Sequence, residues 1–402
     1  MRKWLVLIVV LVLSVGAVSA QDAAWSAYLY NSVTRQILRV DLDGTQTPID
    51  LGLPEGSYLG MNDTDFTPSG DMLAYCVIDY NAAPTNMGTP TTLHLYSLTV
   101  NAPVAVVDLG ASMGCWISYN AEGTMLAVGL VHYYSGDPAA DLSQPAWELR
   151  VLDAASGETI DTLSPSAQFA LDAGLTSDLT LMPDVRFFAG SQIIFAGIMW
   201  GTEGAPLEPA FLWDISTDVV QPFDYWWHPG LSVSGADLAW LDLDPMLPVG
   251  DPGGPVPQSN IVRMLGADGS PVTVYHSPDW ILLDTEFVNN GRALALQLLE
   301  PFDPNAPMGS NAIRWLLLDR QGGTVDLGTY PGFTQVIGAP DGLLLLHADS
   351  AQPGTGMTLD YVTATETRVL WQDVSENSGA AWNIIWASPV PRADGLSPFP
   401  AQ

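Results

Sequence analysis

Residues 65–75 read DFTPSGDMLAY, and the second half of that stretch returns along the whole chain. Gly70 opens GDMLAY, Gly123 opens GTMLAV, Gly235 opens GADLAW and Gly291 opens GRALAL. All four fit Gly-x-x-Leu-Ala followed by an apolar residue, and GSQIIF at Gly190 and GLLLLH at Gly342 are looser copies. Glycine supplies the positive φ of a tight turn, and the short apolar run behind it reads as a buried strand. A motif that recurs about every 50 residues marks a repeat architecture.

Between the copies lies a second recurring unit, a short apolar strand, a polar turn and another short strand. It appears at 37–51 (ILRVDLDGTQTPIDL), 93–109, 149–163 (LRVLDAASGETIDTL), 211–223, 261–275 (IVRMLGADGSPVTVY), 315–328 and 359–371. Asp-Gly, Ser-Gly, Asn-Ala-Pro and Gly-Gly in these turns are hairpin chemistry, and the arms are rich in Val, Ile, Leu and aromatics. No long segment carries a helical apolar stripe. Each repeat therefore supplies four strands, A to D, with the glycine turn between A and B and the hairpin forming C and D. Four short strands per repeat of this length predict a blade of a β-propeller. The fold class is all-β, a single propeller.

The ends set the blade number. Residues 24–50 supply B, C and D without A. Complete blades follow at 63–109, 113–164, 178–224, 228–276 and 280–327, and another at 332–373. Residues 380–389, AAWNIIWASP, supply one more A-like strand with no B after it. The C-terminal A strand is thus expected to complete the N-terminal blade by pairing near Ala27–Tyr30, giving seven blades and no long open sheet edge. The Pro-rich tail 390–402 is expected outside the sheets, adding little stability.

The first twenty residues read as a secretory leader. Arg2 and Lys3 precede an apolar run from Trp4 to Leu13, and small residues end at Val18-Ser19-Ala20. That run is shorter than the roughly 20 residues that span a bilayer. The domain organisation is therefore leader 1–20, propeller 21–389 and tail 390–402, with the product secreted, either extracellular or periplasmic. Lys3 is the chain's lone lysine, so the mature product is lysine-free. The formal net charge is −32 over 402 residues. Such a field disfavours nucleic acid and anionic membranes as partners and attracts cations. No membrane segment is expected after the leader, and the chain is expected to be monomeric. With 48% hydrophobic residues the sequence still has the material for a packed core. Cys76 and Cys115 form an even pair, open to being one disulfide or two buried thiols in an oxidising compartment.

With the repeat laid out, DFTPSGDMLAY and IGAPDGLLLLH resemble the TolB-like and WD-repeat-like propeller repeats, the former usually written around Trp-Ser-Pro-Asp-Gly before an apolar strand. Only Pro68-Ser69-Gly70 and Pro340-Asp341-Gly342 come near that core; the other copies keep the glycine alone. TolB itself has six blades and a separate N-terminal domain, and neither fits here. The resemblance implies an exported propeller used for binding and transfers no site residue.

Motifs for chemistry are sparse. Gly110-Ala111-Ser112-Met113-Gly114 matches the serine-nucleophile elbow, but it precedes a strand where that elbow needs a helix. Close aspartates at Asp41/Asp43, Asp63/Asp65/Asp71 and Asp242/Asp244 could offer oxygens to Ca²⁺, yet none has an EF-hand spacing, and Asp in turns commonly caps backbone N–H groups. No cofactor is implied. His94, His132, His228, His276 and His347 are scattered without metal-ligand spacing. Aromatics recur in or beside the D-to-A connections: Tyr58, Trp116, Phe169, Tyr225-Trp226-Trp227-His228, Trp280, Tyr330 and Trp382. They read either as a binding rim or as plugs between blades, and Tyr225, Trp226, Trp227 and His228 form the densest cluster. The leading reading is a non-catalytic propeller that takes a protein, peptide or glycan at that mouth. The alternatives are a hydrolase or lyase with acids around the channel, and a cell-surface scaffold. A cluster of two or more channel carboxylates of raised pKa would favour the enzyme, an exposed, polar-rimmed aromatic patch would favour binding, and a featureless rim would favour the scaffold.

Overall fold

The computed structural model describes residues 25–55, 57–59, 64–79, 89–132, 145–164, 184–188, 190–196, 209–226, 232–234, 237–242, 259–266, 269–300, 312–330, 334–340, 342–348, 356–374, 382–387 and 396–402. Their regular structure is strand throughout, in seven antiparallel sheets. Each sheet is a blade. From inner to outer strand, blade three runs Gly114–Tyr119, Met125–Val131, Trp147–Asp153 and Thr159–Leu163. The inner strands contact one another in turn around a ring, from blade one through blade seven and back.

The repeat's Leu and Ala sit on the second strand, which has a neighbouring blade on both faces. Leu73-Ala74, Leu126-Ala127, Leu238-Ala239 and Leu294-Ala295 are all at most 1% exposed. Burial on both faces explains why these strands read as continuous apolar runs and lack alternation. The outer strands face solvent: Thr324–Tyr330 has no buried residue, and Ala102–Ser112 buries only Leu109 and Ser112. The core is divided in the same way. Seven apolar clusters fill the seven blade interfaces, for example Tyr28, Tyr30, Phe66, Leu73 and Tyr75 between blades one and two.

Trp382–Ala387 is the inner strand of blade one. It pairs antiparallel with Ser26–Asn31 from Ala27↔Ala387 to Asn31↔Trp382, with a register shift between Tyr28 and Leu29. The last strand of the propeller thus closes the ring on the first. Blade two departs from the regular pattern. Its inner strand is broken into Ser57–Tyr58 and Thr64–Phe66, and both pieces pair with Met72–Asp79.

The two faces of the ring differ. Antiparallel connectivity puts the A–B and C–D turns on one face, and the strand bounds leave only short connections there. Positive φ collects there: Gly44, Gly70, Asn101, Gly123, Gly157, Gly190, Asp218, Gly269, Asn289, Asn290, Gly291 and Gly322. Aspartates at the ends of third strands cap these turns. Asp153 Oδ1 accepts the N–H groups of Ala155 and Ser156, and Asp319 Oδ1 those of Gln321 and Gly323. Much of the aspartate content is turn chemistry. The opposite face carries the long connections, 80–88, 132–146, 164–183, 197–208, 243–260, 300–312 and 349–356.

Cys76, on the second strand of blade two, and Cys115, on the inner strand of blade three, are bonded across the interface with Cα atoms 6.4 Å apart. The leader 1–20 lies outside the described residues. The C-terminal tail corrects an expectation. Residues 396–402 lie outside the sheets, yet Phe399 is buried in the cluster between blades five and six. A segment free of strand pairing still adds stability when it delivers a large ring into the core.

Two outcomes follow. Deleting the chain from Ala380 onward should abolish cooperative thermal unfolding, because it uncovers both the edge of Ser26–Asn31 and the apolar faces beside it. Replacing Cys76 and Cys115 with Ser should lower stability by about 3–4 kcal/mol by the loop-entropy relation, measured by denaturant titration, while mass spectrometry of the unreduced protein should find no free thiol.

Candidate functional site: the acidic channel and its long-connection mouth

Each inner strand enters the channel from the long-connection face, so its first residues lie nearest that mouth. On blade four the inner strand begins Asp184-Val185-Arg186. Val185 is buried, and Asp184 and Arg186 point the other way, as a period of two requires. Arg186 Nη1 donates to Asp184 Oδ1 and to the carbonyl of Val185, both at 2.8 Å. Arg186 also lowers the pKa of Asp65 on blade two and of Asp284 on blade six through charge–charge interaction. A guanidinium on blade four that acts on both flanks projects into the channel.

Burial works against the carboxylates. Desolvation pushes Asp65 and Asp284 up to about 6 each, with Arg186 and backbone N–H groups offsetting only part of it. Asp184 is raised for the same reason despite its ion pair. Asp65 is engaged on both oxygens: Oδ1 accepts the Phe66 N–H at 2.8 Å, and Oδ2 accepts that of Tyr119, on the next blade, at 2.6 Å. Asp284 Oδ1 accepts the Thr285 N–H at 2.8 Å, and Asp284 sits at a register shift in the strand Ile281–Val288. Bulges of that kind re-aim side chains and are common beside sites. Among the described residues the channel thus holds one carboxyl paired with Arg186 and two more that feel its charge.

Other inner-strand side chains close contacts between blades. Ser118 Oγ accepts the Phe187 N–H at 3.2 Å. Gln335 accepts the Ile384 N–H and donates to the Ile384 carbonyl, both at 2.8 Å.

The sequence candidates fall as follows. Tyr225 and Trp226 are the last residues of the outer strand Val219–Trp226 of blade four, which ends at the long-connection face. Trp227 and His228 lie outside the described residues, as do Phe169, Asp63 and Asp244. Trp116, Tyr330 and Trp382 are plugs between blades, and Trp280 is half-buried with Arg314 5.8 Å over its ring. Of these four only Trp382 is buried; the other three are half-buried, packed against the clusters between blades. Ser112 Oγ is buried and shares a 2.7 Å hydrogen bond with Thr91, and a strand follows, so the elbow motif carries no nucleophile. Asp41 pairs with Arg39, Asp71 accepts from Thr67 and Ser69, and Asp242 pairs with Arg263. Among the described residues no three His, Cys, Asp or Glu side chains stand together as metal ligands. None of the sequence motifs pointed to Arg186, Asp184 or Asp284. The visible signal was a charge alternating with apolar residues on an inner strand.

No family model and no curated protein sequence matches the chain. Solved structures do. Prolyl oligopeptidase B from Galerina marginata superposes with a TM-score of 0.56 at 10% identity, over 88% of this chain and 50% of that one. The β-propeller domain of the Trilobed protease from Pyrococcus furiosus superposes with a TM-score of 0.54 at 8% identity, over 84% of this chain and 89% of that one. A TolB from Agrobacterium tumefaciens matches with a TM-score of 0.41 at 14% identity, over 76% and 89%. The chain is a β-propeller. The resemblance of its repeat to propeller repeats holds at the level of fold, and the chain spans half the length of the prolyl peptidases it matches.

The channel acids give a pH signature. A carboxyl raised in the folded state holds its proton more tightly there than in the unfolded chain. Its effect on stability is most favourable below the ordinary carboxylate pKa and declines as pH rises towards about 6. Asp284→Asn should therefore raise the melting temperature at pH 7, by an amount equivalent to about 2–3 kcal/mol. The gain should vanish near pH 3.5, as differential scanning calorimetry across that range would show.

Proposed function

We propose that this chain is an exported, non-catalytic propeller that takes a cationic peptide or protein segment at the long-connection mouth, beside Tyr225–His228, with the acidic channel receiving its positive groups. The observation that carries this reading is the set of Asp65, Asp184 and Asp284 around Arg186. Asp184 pairs with Arg186, the charge of that guanidinium also acts on Asp65 and Asp284, and desolvation raises all three carboxyls. A buried carboxyl of raised pKa gains most from an incoming cation, which restores the interaction that desolvation removed. The net charge of −32 adds long-range attraction for the same class of ligand. Concentration of the long connections on one face points to the same mouth, since binding residues gather on loops that a rigid scaffold positions. The leader supports export.

The hydrolase or lyase reading keeps one observation in its favour, the raised pKa of two channel carboxyls. Against it, the other two described channel carboxyls are already engaged: both oxygens of Asp65 hold backbone N–H groups, and Asp184 pairs with Arg186.

An array of peptides and glycans probed with the mature protein tests the proposal. Lys- and Arg-rich peptides should bind, more weakly as salt rises, and Asp284→Asn should weaken them about tenfold. Replacing Trp226 and Trp227 with Ala should weaken the same ligands with little change in melting temperature. Binding confined to neutral glycans and insensitive to salt would refute the cationic-ligand reading, and turnover of glycoside or peptide substrates lost in Asp284→Asn would establish the enzyme.

A further inference from the structure

We propose that the groove between blades five and six, on the short-turn face, is a peptide-binding site, and that residues 396–402, LSPFPAQ, are its tethered ligand. The site lies on the face opposite the long-connection mouth, so the proposal stands apart from the function above.

The groove is built around Arg320, a buried arginine just past the third strand of blade six. Its three guanidinium nitrogens are divided among three partners. Nε donates to the carbonyl of Gly291 at 2.7 Å, Nη2 pairs with Asp237 of blade five, and Nη1 donates to the carbonyl of Ser397 at 2.7 Å. The first two contacts are made by the ring itself and hold the side chain in place. The third is made to the tail backbone. The same guanidinium lies 4.6 Å over the ring of Phe399, which also packs near Phe287, with centroids 6.5 Å apart. One residue therefore reads a carbonyl and an aromatic ring two positions apart, which is a selective pattern.

The rest of the segment fits that pattern. Pro398 and Pro400 flank the aromatic ring, fix φ and bring no N–H to satisfy, so the segment is ordered at small entropic cost. Pro400 packs on Gly322 so closely that a side-chain carbon there would lie 3.1 Å from the proline ring. Gln402 then donates its backbone N–H to the carbonyl of Thr273, on the outer strand of blade five, at 2.8 Å. Carbonyl capture, an aromatic socket, a proline shelf and a backbone contact at the far end make a complete short-peptide site. The ligand class is an extended Ser-Pro-aromatic-Pro segment.

The test uses the full chain carrying Phe399→Ala, which loses its own anchor, titrated calorimetrically with a synthetic peptide of residues 394–402. Saturable one-to-one binding is expected. It should be at least tenfold weaker to the wild-type chain, where the tethered tail competes at an effective concentration on the order of millimolar. Adding Arg320→Ala, or replacing the peptide's Phe with Ala, should abolish it. No binding to a folded Phe399→Ala chain, or binding indifferent to Arg320→Ala, would overturn the proposal. Should Phe399→Ala fail to fold, hydrogen exchange on the wild type decides. A slowed Gln402 amide supports the docked tail, and a freely exchanging one overturns it. A wild-type dimer with tails crossing between copies, seen by size-exclusion chromatography, would overturn the assignment in cis.

Discussion

Seven radial sheets leave seven innermost strands, each with a row of backbone N–H and C=O groups on its free side. An unmet row of that kind is costly when buried and adhesive when exposed. The ring answers part of this demand with side chains from the preceding blade. Asp65 takes the N–H of Tyr119, Ser118 that of Phe187, and Gln335 clamps both backbone groups of Ile384. These bonds run in the direction that the sheets' own ladders cannot, around the ring. The apolar clusters between blades act with them, and the Cys76–Cys115 bond covalently reinforces one interface. Closure of the last sheet by Trp382–Ala387 on Ser26–Asn31 completes the cycle.

The fold was legible because its strongest constraints are local and repeated. Leu and Ala behind a turn glycine mark a strand in the blade that is covered on both faces, and that position tolerates little else. The blade number followed from a missing first strand and a surplus last one. Broken continuity was not legible. Nothing in the residues 57–66 announces that the inner strand of blade two is split. The tail misled for a physical reason, since two prolines remove hydrogen-bonding capacity and mimic an unstructured end, while Phe399 between them carries enough apolar surface to dock. The channel site was hidden differently. Asp65, Arg186 and Asp284 lie on three blades, and only the curvature of the ring brings their charges within reach of one another.

The channel carboxyls also run against the economy of the rest of the molecule. On the short-turn face aspartates are held below their ordinary pKa by the hydroxyl and N–H donors of the turns they cap, as at Asp153 and Asp214. In the channel, the same residue type is raised by burial. One amino acid thus serves two opposite ends, lowering the energy of turns in one place and storing unfavourable charge in the other. Local departures from stability of this kind concentrate where a protein meets its ligand.

The unequal faces carry a consequence for how such a scaffold changes over time. Strand register is set by the tight glycine- and aspartate-capped turns, where a single inserted residue would swap every side chain of a strand between neighbouring blades. On the other face the connections already vary widely in length, and an insertion there leaves register untouched. Drift in length and composition is therefore channelled to one side of the molecule. Descendants of this chain can acquire new recognition surfaces by lengthening loops on that side, while the ring beneath stays under the same structural selection.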